Sequence, residues 1–207
     1  MDLAEVRFID SYLEDSLQAL RSFIEKSNAK DVILAISDLV TGSLRGGNKV
    51  LLAGNGGSAG DSQHIAGEFV SRLFFDRSPL PAIALTTDTS VITAIANDYG
   101  FEQVFERQVL GLGVRGDVFI GISTSGESPN VLRGLKAAKS KKMVTVGFTG
   151  ARECSMDSLC DEILHVPSDK TAIIQQIHII AAHMICGLVE RRMFETSATS
   201  NLNAHVR

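Results

Sequence analysis

Lys49-Val50-Leu51-Leu52-Ala53-Gly54-Asn55-Gly56-Gly57-Ser58 shows the local architecture that the rest of the chain repeats. A short β-prone run passes directly into a glycine turn, and a helical pattern starts at Ser58. Further apolar runs recur at 81–86 (PAIALT), 117–122 (DVFIGI), 142–148 (KMVTVGF) and 162–166 (EILHV), separated by helical stretches at about 58–75, 89–111, 128–140 and 170–194. Hydrophobicity within these runs is continuous rather than alternating, which predicts strands covered on both faces. The expected fold class is therefore α/β, a five-stranded parallel sheet built from right-handed crossovers and flanked by helices. Two amphipathic helices precede it: Val6, Ile9, Leu13, Leu17, Leu20 and Phe23 stand at helical spacing within 3–26, and Ile33, Ile36, Leu39, Val40 and Leu44 within 30–45. One domain over 1–195 is expected, with helices in 1–46, an α/β core in 47–195 and a polar tail at 196–207.

Of 207 residues, 44% are hydrophobic and 21% charged, with a net charge of −4 and the two signs interspersed. That pattern argues against nucleic acid as a partner, because phosphate backbones are read by clustered Lys and Arg. Cys154, Cys160 and Cys186 form neither an even-numbered framework nor a CxxC pair, so reduced thiols in a cytoplasmic setting are expected. Acids interrupt the N-terminal segment where a secretory signal needs an apolar run, and no uninterrupted 18-residue apolar stretch occurs, so no membrane partner is expected.

Ligands of parallel sheets sit at the carboxyl ends of the strands. There, Ser123-Thr124-Ser125-Gly126-Glu127-Ser128 precedes Pro129, with Ser128 suited to an N-cap and Pro129 to the first helical position. Hydroxyls and unpaired N–H groups gathered at a helix start form an anion cradle suited to phosphate, although an isolated turn of this kind also reads as an ordinary capped loop. Glu127 is read as solvated. The turn Gly54-Asn55-Gly56-Gly57 lets a ligand approach the backbone closely, but lacks the spacing and the lysine of a nucleotide-binding loop.

His64 and Glu68, at i and i+4, project from one helix face and can share an ion. On the closing helix Gln175, His178 and His183 interrupt an apolar stripe, and each buried polar group there needs a partner. Imidazole, carboxylate and amide oxygen together suit zinc or another borderline divalent ion. Eight residues separate Gln175 from His183, a rise of about 12 Å and a rotation of about 80°. Either the side chains converge, the helix bends, or one residue serves a neighbouring subunit. His178 reads equally well as a core residue, and Asp61 and Asp169 as structural groups.

The segments AGNGGSAGDSQHIAGEFVSR, LTTDTSVITAIANDYGFEQVF, GISTSGESPN and QQIHIIAAH followed by CGLVE closely resemble the phosphoheptose isomerases, in the same order and over nearly the whole chain. The resemblance implies a sugar isomerase (SIS) domain and a homotetramer with active sites at subunit interfaces. It also implies an isomerase converting sedoheptulose 7-phosphate to D-glycero-D-manno-heptose 7-phosphate, the first step of heptose synthesis for bacterial surface glycans. By motif, Asn55, Gly56, Gly57, Glu68, Asn97, Asp98 and Gln175 would contact the sugar, Ser123, Thr124, Ser125 and Ser128 the phosphate, and His64, Glu68, Gln175 and His183 one Zn2+ per subunit. Glu68 and His183 would exchange protons with the substrate. A second resemblance, to the DnaA initiator-associating SIS proteins, gives the alternative of a binding module acting in replication.

Overall fold

The computed structural model describes residues 2–25 and 28–195, so the tail at 196–207 lies outside the described residues. Helices α1 (Leu3–Glu25) and α2 (Ala29–Arg45) lead into β1 (Val50–Gly54), α3 (Gly57–Val70), β2 (Ala82–Ala84), α4 (Thr89–Tyr99), α5 (Val104–Leu112), β3 (Val118–Ile122), α6 (Pro129–Ser140), β4 (Val144–Thr149), β5 (Glu162–His165) and α7 (Thr171–Phe194). The five strands form one parallel sheet in the order β2-β1-β3-β4-β5, with Val50 opposite Val118 and Val118 opposite Val144.

Burial explains the unbroken apolar runs. In β1, Val50 and Leu52 belong to a core with α2, α3 and α7, while Leu51 and Ala53 belong to a second core with α4, α5 and α6. Both faces of the strand are covered, so neither parity tolerates a polar side chain. The chain leaves β1 for β2 on one side and then crosses to β3 on the other. The carboxyl ends of β1 and β3 therefore flank the point where strand order reverses, the usual ligand crevice of an open α/β sheet.

Three expectations differ in detail. The stretch expected to be helical from 89 to 111 is split, because Gly100 adopts φ +96 and a single 3₁₀ turn, Phe101–Gln103, separates α4 from α5. Helix α3 stops at Val70 rather than near 75, and the strand at 81–86 shortens to three residues. On α1 only Ala19 and Phe23 are buried, and much of its apolar stripe is exposed, including Phe8 at 70% and Leu13 at 61%. Helix α1 is fastened to α7 by a Lys170–Asp15 ion pair and by Gln176 Nε2 donating to Tyr12 Oη at 2.8 Å.

By length and mean hydropathy (1.7), α7 is apolar enough to cross a membrane. Ile173, Ile174, Ile177, Ala181, Ala182, Ile185 and Val189 are nonetheless buried within the protein, so it serves as the core helix between α2 and α3.

Candidate active site

Local backbone geometry shapes the first half of the crevice. Gly56 turns the chain with φ +55, and a Cβ on Gly54 would stand 2.6 Å from the Ser58 carbonyl oxygen, so the strand can enter the helix this tightly only without a side chain. At Gly57 the space of a Cβ is filled from another element: it would lie 2.6 Å from Nε2 and 2.7 Å from Oε1 of Gln175. Gln175 thus lies against the glycine turn.

The serine loop forms the other half. Gly126 adopts φ +68, and Ser123 Oγ lies 2.9 Å from Ser128 Oγ and 3.4 Å from Ser125 Oγ. Ser128 occupies the N-cap of α6 and Pro129 the first helical position, but the Ser128 hydroxyl turns towards Ser123 and caps no helix amide. Three hydroxyls are therefore drawn together in front of the helix start. Among the described residues the N–H groups of Thr124, Ser125 and Ser128 find no protein acceptor, so donors face the same space. Thr124 and Ser125 line a cavity of 320 Å³ together with Arg152, Ser168 and Thr171 at the start of α7. Glu127 is exposed, and both its oxygens are taken by Ser155, from N at 2.6 Å and from Oγ at 2.6 Å. These bonds hold its carboxyl below the usual range. Its charge is spent on the 151–160 segment.

A residue that sequence reasoning missed joins the two halves. Asn55 and Asn130 exchange carboxamide hydrogen bonds of 2.9 and 2.8 Å, and Asn130 Oδ1 also accepts from Val131 N at 2.9 Å. Asn130 is buried, and its partner is 75 positions away, so only the motif context SPN near a helix start pointed to it.

The third group lies along α3 and α7. His64 Nε2 stands 3.1 Å from Glu68 Oε1 and 3.1 Å from His183 Nε2, and the ligand atoms of all three residues fall within 4.8 Å of one another. A single Nε2 proton on His64 cannot satisfy both neighbours, which leaves lone pairs converging on one point. That donor set fits a shared divalent cation, with two imidazoles and a carboxylate from one chain. Of the ligand candidates on α7, Gln175 meets α3 at Gly57 and His183 meets it at His64.

Other sequence candidates fall elsewhere. Asn97 and Asp98 are exposed at the end of α4, where Asn97 Nδ2 donates to Asp98 Oδ1 at 2.8 Å. Among the described residues they make no hydrogen bond to the serine loop, the glycine turn or the His–Glu–His group. Asp61 is half-buried and burial raises its carboxyl above the usual range, opposed by His64; its Oδ2 has no partner among the described residues. Asp169 is exposed, one residue ahead of the N-cap Lys170. His178 is a core residue: its Nε2 lies 3.1 Å from the Thr149 carbonyl, its ring packs on Phe148, and burial lowers its pKa to about 4. All three cysteines are free, and burial pushes Cys160 up to about 12.

Comparison with known proteins agrees with this architecture. A family model described as SIS domain matches residues 11–150. A phosphoheptose isomerase of Burkholderia pseudomallei (strain 1710b) is 50% identical over 194 residues, covering 94% of this chain and 98% of that protein. Among solved structures, a phosphoheptose isomerase from Francisella tularensis superposes with a TM-score of 0.86 at 35% identity, covering 90% of this chain and 98% of the other. The phosphoheptose isomerase GmhA of Neisseria gonorrhoeae gives 0.83 at 37% identity, covering 89% and 97%. A glycine turn and a serine loop at the strand-order reversal, a His–Glu–His group between α3 and α7, and this degree of identity together mean that the chain belongs to the phosphoheptose isomerase family of SIS-domain proteins.

Proposed function

We propose that the protein isomerises sedoheptulose 7-phosphate to D-glycero-D-manno-heptose 7-phosphate. The observation that carries this reading is the convergence of His64, Glu68 and His183 on one point, in a chain that also gathers serine hydroxyls at the carboxyl end of β3. Relatives at 50% identity named as phosphoheptose isomerases support it, and they lend nothing to the DnaA-associating alternative.

The serine loop would take the phosphate, with Ser123, Thr124, Ser125 and Ser128 presenting hydroxyls and the start of α6 presenting N–H groups. Asn55, Gly56, Gly57 and Gln175 would hold the sugar between the two halves. Ketose-to-aldose isomerisation removes a proton from the carbon beside the carbonyl and returns one to the former carbonyl carbon. Glu68 is assigned as the base and His183 as the acid serving the other carbon or its oxygen. His64, Glu68 and His183 would hold a divalent ion, for which we propose Zn2+, and Gln175 would offer its amide oxygen from the Gly57 side. When bound, such an ion supplies polarisation of the carbonyl and stabilisation of developing negative charge. Ligation would lower the basicity of a carboxylate, so a Glu68 that also holds the ion would be a weaker base than a free carboxylate.

Asn97 and Asp98, exposed at the end of α4, and the uncovered apolar stripe of α1 support a homotetramer with sites completed across subunit interfaces. Three free thiols support a cytoplasmic location.

The test is direct. Purified protein incubated with sedoheptulose 7-phosphate should form the aldose, and a chelator should suppress the reaction until Zn2+ is restored. Glu68→Gln and His183→Ala should each lose turnover while remaining folded. Turnover comparable to wild type in either variant removes its assigned role.

A further inference from the structure

The segment after α3, residues 71–81, carries no residue of the proposed chemistry, yet its Arg77 forms the most buried ion pair among the described residues. Arg77 and Glu190 side chains are 2% and 1% exposed, with Arg77 Nε 3.0 Å from Glu190 Oε1. The rest of the guanidinium is turned back on α3. Nη2 donates to the Glu68 carbonyl at 2.7 Å and Nη1 to the Phe69 carbonyl at 2.6 Å, with a further bond to the Ser78 carbonyl at 3.1 Å. Glu190 in turn accepts from Leu73 N at 3.1 Å and Phe74 N at 2.9 Å. Phe74 lies against Gly187, where a Cβ would run into its ring.

These contacts form a clamp. Seven residues separate His183 from Glu190, a rise of about 10 Å and a net rotation of only about −20°, so the two share one face of α7. On α3 the guanidinium grips the backbone of Glu68 itself. One end of the clamp is thus the residue assigned as base, and the other lies two turns along the face that presents His183. An ion pair this dry contributes little net stability relative to apolar side chains of the same size, because desolvation offsets the attraction. A planar fork that bonds two successive helix carbonyls and a carboxylate does fix relative position, which an apolar contact does not.

We infer that Arg77 and Glu190 are positioning residues, which set the separation of α3 and α7 at the His64–Glu68–His183 group. The inference rests on the proposed chemistry of that group. Neither residue touches substrate, and their effect passes through the Glu68 backbone and the α7 face.

The test uses Arg77→Lys, which keeps the charge but lacks the planar fork that spans the two carbonyls and Glu190, and the apolar double variant R77M/E190L. Four quantities are measured for the whole chain: the melting temperature, Zn2+ affinity by calorimetry, kcat and KM. For a folded variant with a melting temperature near that of wild type, the expected result is a fall in Zn2+ affinity of about 10–100-fold, as found when supporting groups around a metal site are removed. A similar fall in kcat with KM within about twofold of wild type should accompany it, because the serine loop is untouched. Unchanged kcat and Zn2+ affinity in a folded variant overturn the inference, as does loss of fold in both variants, which would mark the pair as a folding element. If wild type binds no Zn2+ but kcat still falls selectively, the positioning role stands and the metal reading fails.

Discussion

Gly57→Ala separates the architecture of the site from the stability of the fold. Gly57 opens α3 and its φ is not in the left-handed region, so alanine suits the backbone there and removes the entropic cost of glycine, up to about 1 kcal/mol. The new methyl, however, would sit 2.6 to 2.8 Å from Nε2, Oε1 and Cδ of Gln175. Ordinary contacts need about 3.5 Å or more, so the carboxamide must retreat by about 1 Å, which its flexible chain permits. Misplacement of a substrate-positioning group by that distance costs up to about 100-fold in rate. Urea unfolding should therefore show wild-type or slightly raised stability, while kcat/KM falls by about 10–100-fold. If Gln175 is the route, G57A/Q175A should be no less active than Gln175→Ala alone, because the clash has gone. A folded Gly57→Ala enzyme with undiminished kcat/KM would refute the claim that Gln175 works from its seat on this glycine.

Two further outcomes follow from buried polar groups. Asn130→Ala removes the reciprocal bonds with Asn55 and the acceptor of Val131 N, and should cost about 2–4 kcal/mol in urea unfolding and raise KM, since both substrate loops lose their tie. His178 stays neutral in the fold down to about pH 4, whereas an unfolded histidine takes up a proton near pH 6.5. As pH falls through that window the unfolded state binds the extra proton, so stability should drop by about 3 kcal/mol between pH 6.5 and 4. Comparing wild type with His178→Gln across that range isolates the effect, and equal pH slopes would disprove it.

The strands were legible because burial on both faces leaves one kind of sequence, an unbroken apolar run ended by glycine or serine. The split between α4 and α5 was not, since a lone Gly100 inside an apolar stretch looks the same whether it is helical or at φ +96. At the site, what lies within one turn of helix or one loop was legible: the i, i+4 pair of His64 and Glu68, and the serine cluster. Partners far apart in the chain were legible only where both are of ligand type, as His64 and His183 are. Asn55 meets Asn130 across 75 positions, Arg77 meets Glu190 across 113, and neither pair carries a local pattern.

The apparent conflict between Gln175 and His183 shows why such separation matters. On α7 alone they diverge by about 80° and 12 Å, so their side chains can serve one point only by turning towards the same neighbouring helix. Helix α3 runs beside α7 in the same sense and is that neighbour, meeting Gln175 with Gly57 and, seven residues further, His183 with His64. Both helices rise by the same amount per residue, so the two contacts stay in step. Beyond them Arg77 ties the Glu68 and Phe69 carbonyls to Glu190. A missing side chain, a pair of imidazoles and an ion pair thus follow one another down the same helix pair. The spacing of the site is in this way a property of how the two helices pack, and a variant that shifts their register by even part of a turn should disturb all three contacts together.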